Sequence, residues 1–143
     1  MKYYLAGPYD MRSDISALAE SIGKNVNWHN NASWLIEDME DLPVKRIANI
    51  DIKDLQESDV LILVTGGSTT GGMWVEFGFA LALNKPTIIF SRNTELQPCF
   101  ATLADYRCGT ETQLFALLKS INNCTFIKPP GRRIFTNLKA NKL

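Results

Sequence analysis

Residues 60–83, VLILVTGGSTTGGMWVEFGFALAL, decide the fold. Val60–Val64 is an unbroken apolar run of strand length, and a strand without a polar face is one covered on both sides, as in a parallel sheet. Gly66–Gly72 (GGSTTGG) breaks the run with a loop of glycine, serine and threonine. Met73–Leu83 then reads as an apolar helix, Asn84-Lys85-Pro86 as a turn, and Thr87–Phe90 as a second buried strand. Strand, loop, helix and strand make a βαβ unit, whose crossover places the helix over one face of a parallel sheet.

The flanking sequence repeats the alternation. Lys2–Ala6 (KYYLA) is a strand that stops at Gly7-Pro8. Ile15, Leu18, Ala19 and Ile22 fall at helical spacing in Ser13–Ile22, with Ser13 or Asp14 as the N-cap. Val26–Trp28 is assigned to a short second strand, and Asn30 to Leu42 is polar and irregular apart from Trp34, Leu35 and Ile36. Pro43 opens a helix that runs to about Glu57 on an Ile47, Ala48, Ile52 and Leu55 stripe. Glu111–Ile121 forms the last helix on Leu114, Leu117, Leu118 and Ile121. The expectation is a single-domain α/β chain, a doubly wound parallel sheet with helices on both faces. In such sheets ligands bind at the carboxyl ends of the strands. That rule selects Gly7, Pro8, Tyr9 and Arg12 after the first strand. After the Val60–Val64 strand it selects Ser68, Thr69, Thr70 and Gly72, with Met73 opening the helix.

Composition narrows the function. The chain has 143 residues, 45% of them hydrophobic and 21% charged, which suits one domain of roughly 100–150 residues. Fifteen basic and fifteen acidic residues cancel, so the electrostatic footprint of a duplex nucleic-acid binder is missing. No apolar run approaches the ~20 residues of a membrane helix, and no signal segment precedes the first strand. Cys99, Cys108 and Cys124 have no metal-ligand spacing and read as reduced thiols in a cytoplasmic protein. GGSTTGG has neither the P-loop lysine nor the dinucleotide spacing, so no cofactor is expected. It can still hold a phosphate or a sugar hydroxyl through its own hydroxyls and backbone N–H groups. The single α/β domain is assigned to 1–127. The basic tail, 128–143, carries Lys128, Arg132, Arg133, Lys139 and Lys142 and no acid.

Glu76 is the ionisable residue that does not belong. It is the only one from Gly71 to Leu83, and an unpaired buried carboxylate costs several kcal/mol or shifts its pKa. It could face a solvent gap or pair with a core arginine. Its place in the first turns of a helix on the ligand edge favours a functional role, with the helix dipole holding it ionised. Asp51 borders the apolar stripe of the preceding helix and should lean toward the same edge. Asp54 and Glu57 read as solvated, Asp59 as a cap, and His29 as a surface residue. Trp74 is assigned to the core; Trp34 fits either the core or a base-stacking platform. Two carboxylates in one cleft suit glycosidic chemistry, because one can stabilise or bond to the sugar C1′ of an oxocarbenium-like transition state while an acid assists the leaving group.

Three segments carry a family resemblance: Tyr4-Leu-Ala-Gly-Pro8, Asp51-Ile-Lys-Asp-Leu-Gln-Glu-Ser-Asp59, and Gly71-Gly-Met-Trp-Val-Glu76-Phe-Gly-Phe-Ala80 with Lys85-Pro86. In this order they resemble the nucleoside 2-deoxyribosyltransferase family, which includes 2′-deoxynucleoside 5′-monophosphate N-glycosidases. The resemblance implies a flavodoxin-like fold and a small-molecule nucleoside or nucleotide substrate. It also implies a homo-oligomer, a dimer or larger, whose neighbours complete each other's sites. It makes Glu76 the nucleophile of a covalent deoxyribosyl intermediate, matches Asp51 to the aspartate contacting sugar or base, and matches Tyr4 to the tyrosine orienting the nucleophile. Two positions depart from the pattern. Thr70 stands where transferases have a base-reading aspartate, as a small hydroxyl residue does in the monophosphate hydrolases. Pro8 and Asp10 stand where those hydrolases have serine and arginine, with Arg12 nearby. A similarity to cytokinin-riboside-monophosphate phosphoribohydrolases covers the glycine loop alone. The expectation is therefore an enzyme that cleaves the N-glycosidic bond of 2′-deoxynucleosides, with a monophosphate hydrolase and a silent nucleotide-binding module as alternatives.

Overall fold

In a computed structural model, which describes residues 1–37, 39, 41–68, 71–92 and 99–122, five strands pair in the order β2-β1-β3-β4-β5. Every neighbouring pair is parallel. They are β1 (Lys2–Ala6), β2 (His29–Asn30), β3 (Val60–Thr65), β4 (Thr87–Ser91) and β5 (Tyr106–Cys108). The helices are α1 (Arg12–Val26), α2 (Ser33–Ile36), α3 (Val44–Glu57), α4 (Gly71–Ala82) and α5 (Glu111–Asn122). Short 3₁₀ turns at Tyr9–Met11 and Cys99–Leu103 complete the elements. All six residues of β3 are buried, because α1 packs with α5 and α3 with α4 on opposite faces of the sheet. The core is correspondingly aliphatic: Leu5, Leu61, Ile62, Leu63, Ile88 and Ile89 are almost completely inaccessible.

Two expectations need correction, and one strand was not foreseen. Val26–Trp28 is not a strand, because α1 continues to Val26 and ends at Asn27, whose left-handed φ of 57° lets its N–H reach Gly23 O. The second strand starts later, pairing Lys2 with His29 and Tyr3 with Asn30. β5 has no sequence signature, since it is only three residues long, Tyr-Arg-Cys, paired in parallel with the edge of β4. Helix α4 is covered on one side only: Val75 and Leu83 are exposed, with Gly78 and Ala82 beside them. Among the described residues no helix is long and apolar enough to cross a membrane.

Candidate active site

Strand order reverses between β1 and β3. The chain leaves β1 toward β2, then returns to the other side of β1 as β3, which opens a crevice at the carboxyl ends of the two strands. A cavity of about 410 Å³ lies there. Gly7, Tyr9 and Arg12 line it from the β1 side, Asp51 and Ile47 from α3, and Gly72, Met73 and Glu76 from α4. Trp34, Glu37 and Met39 close it from the segment after β2.

Its chemistry centres on three oxygen-bearing side chains. Tyr4, fully buried in β1, donates its hydroxyl to Glu76 Oε1 at 2.7 Å. Burial raises the Tyr4 pKa far above that of a free phenol, and the charges of Glu76 and Asp51 add to the shift. The hydroxyl therefore stays protonated and always has a proton to donate. Burial pushes Glu76 up to about 7; the Tyr4 bond pulls it down and the Asp51 charge pushes it up again. Asp51 is pushed up to about 6 by burial and by the Asp54 charge, while its hydrogen bond with Tyr4 opposes the shift. Asp51 Oδ1 is buried without a hydrogen-bond partner. An orphaned acceptor in a cavity wall is a group that a donor on a bound molecule can satisfy.

The helix dipole does not hold Glu76 ionised as expected. Glu76 is the sixth residue of α4, beyond the first turn where the dipole acts, and desolvation prevails.

The structure brings most of the candidate residues together. Gly7, Tyr9, Arg12, Asp51, Gly72, Met73 and Glu76 share the cavity, and Tyr4 reaches Glu76 from within the sheet. Pro8 is buried in the turn beside it. Ser68 is exposed and does not line the cavity; its N–H donates to Asp10 Oδ2 at 3.2 Å. Thr69 and Thr70 lie outside the described residues, as do Cys124 and the basic tail. The Arg12 guanidinium donates to Glu37 O at 2.8 Å and stands 5.9 Å from the centre of the Tyr9 ring. Among the described residues no cluster of three or more His, Cys, Asp or Glu is arranged to hold a metal ion.

Sequence reasoning missed Glu37 and Met39, and gave Ile47 only a core role. Their segment is placed by Asp54, which is not simply solvated: its carboxylate accepts Ser33 N–H at 2.9 Å and its carbonyl accepts Asn31 Nδ2 at 2.7 Å. That docks α2 on α3, and Trp34 Nε1 then reaches Leu5 O at 2.8 Å. The indole thus stands half-buried in the cavity wall. The signal available was the apolar run Trp34-Leu35-Ile36 in a largely polar stretch. His29 is exposed, as expected, and Trp74 packs edge-on against Phe77 with centroids 5.7 Å apart.

A family model described as nucleoside 2-deoxyribosyltransferase matches residues 3–118. A search of curated proteins gave no match. Among solved structures the chain is similar to a conserved protein of Enterococcus faecalis V583, with a TM-score of 0.71, 18% identity, and 85% of this chain and 98% of that one covered. A 2-deoxyribosyltransferase of Bacillus psychrosaccharolyticus gives a TM-score of 0.68 at 18% identity, covering 82% and 96%. The CMP N-glycosidase BcmB of Clostridium botulinum gives 0.59 at 16%, covering 85% and 99%. At these identities the likeness is one of fold.

Proposed function

The chain belongs to the nucleoside 2-deoxyribosyltransferase family, enzymes of the N-glycosidic bond, and from that premise we propose that it cleaves 2′-deoxynucleosides through a covalent deoxyribosyl–Glu76 intermediate. One observation carries the reading: the Tyr4–Glu76 hydrogen bond fixes a carboxylate in the wall of a cavity that also holds the orphaned oxygen of Asp51. With Oε1 held by Tyr4, Oε2 attacks C1′. The C1′–N bond breaks, its electron pair leaves with the base, and Asp51 in its protonated form supplies the proton the base needs. An acceptor base then attacks C1′, releases Glu76 and returns its proton to Asp51. Water in place of the base gives hydrolysis. Trp34 presents an aromatic surface on which a base can stack.

Incubating the pure chain with each 2′-deoxynucleoside, with and without a second free base, tests this. Exchange of bases is the expected result; release without exchange means a hydrolase, and binding without turnover means a silent module and rejects the proposal. Tyr4→Phe should reduce the rate by about 10- to 100-fold, the order of one lost hydrogen bond to a charged group. Because Tyr4 lowers the Glu76 pKa, its loss should move the high-pH limb of the pH–rate profile, which follows Glu76, to higher pH. An unmoved limb would remove Tyr4 from the role.

We further propose a homo-oligomer assembled through α4. Its outward face, Val75, Gly78, Ala82 and Leu83, carries no charge, and Gly72 and Glu76 of the same helix line the cavity. Val75→Asp should shift the chain to a monomer in sedimentation and weaken substrate binding. A wild-type chain that sediments as a fully active monomer rejects the assembly.

A further inference from the structure

Two acids stand one turn apart on α3, and the proposed reaction uses only the first. Asp51 and Asp54 are three residues apart, which puts their side chains on one face of the helix. Asp54 is half-buried and tied to the segment after β2 by the hydrogen bonds it accepts. Its Oδ2 takes the Ser33 N–H at 2.9 Å, and its carbonyl takes Asn31 Nδ2 and Ser58 Oγ, each at 2.7 Å. Ser33 opens α2, and Ala32 at the N-cap has no side-chain oxygen to offer it. The free N–H of the first turn is therefore met from another helix. Four residues are too few to make a helix that holds its own place. What the bond fixes is Trp34, whose indole N–H reaches Leu5 O at 2.8 Å and whose ring lines the cavity.

An asparagine could dock α2 as well as an aspartate does, so the charge needs a separate account. Asp51 is faced by Tyr4 of β1, Glu76 of α4 and its neighbour Asp54. Arg12 of α1 and Glu37, after α2, stand on the other walls of the cavity. Among these groups it is the charge of Asp54 that adds to burial in raising Asp51, against the pull of the Tyr4 hydrogen bond. A carboxylate beside a carboxyl makes the proton of the latter harder to lose.

We infer that Asp54 is a positioning residue for both halves of the site: its bond to Ser33 holds the Trp34 wall, and its charge, one helical turn from Asp51, helps that carboxyl keep the proton it delivers. The second half rests on the proposed glycosidic reaction; the first rests on the hydrogen bonds alone.

Two substitutions separate the halves. Asp54→Asn keeps an acceptor for the Ser33 N–H and removes the charge. Ser33→Pro keeps the charge and removes the N–H. Proline suits the first position of a helix, and Ala32, with φ −82° and ψ 96°, already has the extended backbone of a residue before proline.

The measurements are made on the full chain. The reactive form has Asp51 protonated and Glu76 ionised, so the low-pH limb of the kcat/KM profile follows Asp51. Asp54→Asn should move that limb to lower pH by about half a unit or more. The peak should fall about threefold with it, while KM changes by less than about twofold. Ser33→Pro should leave the limb in place and raise KM about tenfold, the order of one lost hydrogen bond to a charged group. It should also shift tryptophan emission to the red as Trp34 meets water. An unmoved limb in Asp54→Asn, or a wild-type KM and emission in Ser33→Pro, overturns the inference. Carboxyl-carbon NMR reads the first half without turnover: the Asp51 midpoint, about 6 in the wild type, should fall in Asp54→Asn. A wild type that turns over no nucleoside refutes the glycosidic reaction, while the NMR titration and the emission still decide the role of Asp54.

Discussion

Glu76→Gln should lower turnover more than about a hundredfold, since losing a nucleophile removes the covalent route altogether. The chain should stay folded, because glutamine has the same shape and can still accept the Tyr4 hydroxyl through its amide oxygen. Mass spectrometry of acid-quenched wild-type enzyme should find a deoxyribosyl adduct on the peptide containing Glu76, and none in the variant. The wild-type rate should pass through a maximum between about pH 6 and pH 7, because the reactive form has Glu76 ionised and Asp51 protonated. Stability should fall as pH rises. The folded pKa, about 7, lies above the free value of 4.5, so the folded chain holds this proton more tightly than the unfolded one. The resulting stabilisation is complete below about pH 4.5 and is lost as pH climbs through about 7. Glutamine does not ionise, so the variant should melt above the wild type at pH 8, and that advantage should vanish near pH 4. A variant that keeps more than a hundredth of the activity, or melts no higher at pH 8, removes Glu76 from this role.

Such opposed effects on rate and stability are what a sequence can announce, because they arise from one residue placed against its surroundings. A lone carboxylate in an apolar helix was visible in GGMWVEFGFALAL, as was the buried β3 that delivers it to the sheet edge. The central strands were legible because burial on both faces leaves continuous apolar runs. Edge strands β2 and β5 were not, since two or three residues paired through the backbone leave no side-chain pattern. The exposure of α4 was hidden for a related reason. Hydrophobicity reports that a face needs covering and leaves open whether this subunit covers it. Glu37 and Met39 had no signal of their own beyond nearby Trp34, because their segment reaches the cavity through Asp54 and Asn31, hydrogen bonds made across 21 to 23 residues of sequence.

Asp51→Asn is the second substitution expected to have a large effect, and it separates two roles for that carboxyl. Asp51 is raised to about 6 mainly by burial, so near neutral pH a usable fraction carries a proton that can pass to a departing base. Its Oδ1, buried and unsatisfied, is equally able to take a hydrogen bond from a sugar hydroxyl. Asparagine keeps an acceptor oxygen and loses the transferable proton. If proton delivery dominates, kcat for a natural nucleoside should fall about a hundredfold, within the range of general acid catalysis. A substrate whose leaving group departs as a stable anion, such as p-nitrophenolate, should then lose far less. If sugar binding dominates, the asparagine oxygen should preserve much of the rate, and Asp51→Ala should raise KM for both substrates alike. A structure with bound sugar that leaves Asp51 out of reach of both the sugar and the base would eliminate either role. The sensitivity to leaving group thus tells which of the two roles Asp51 plays.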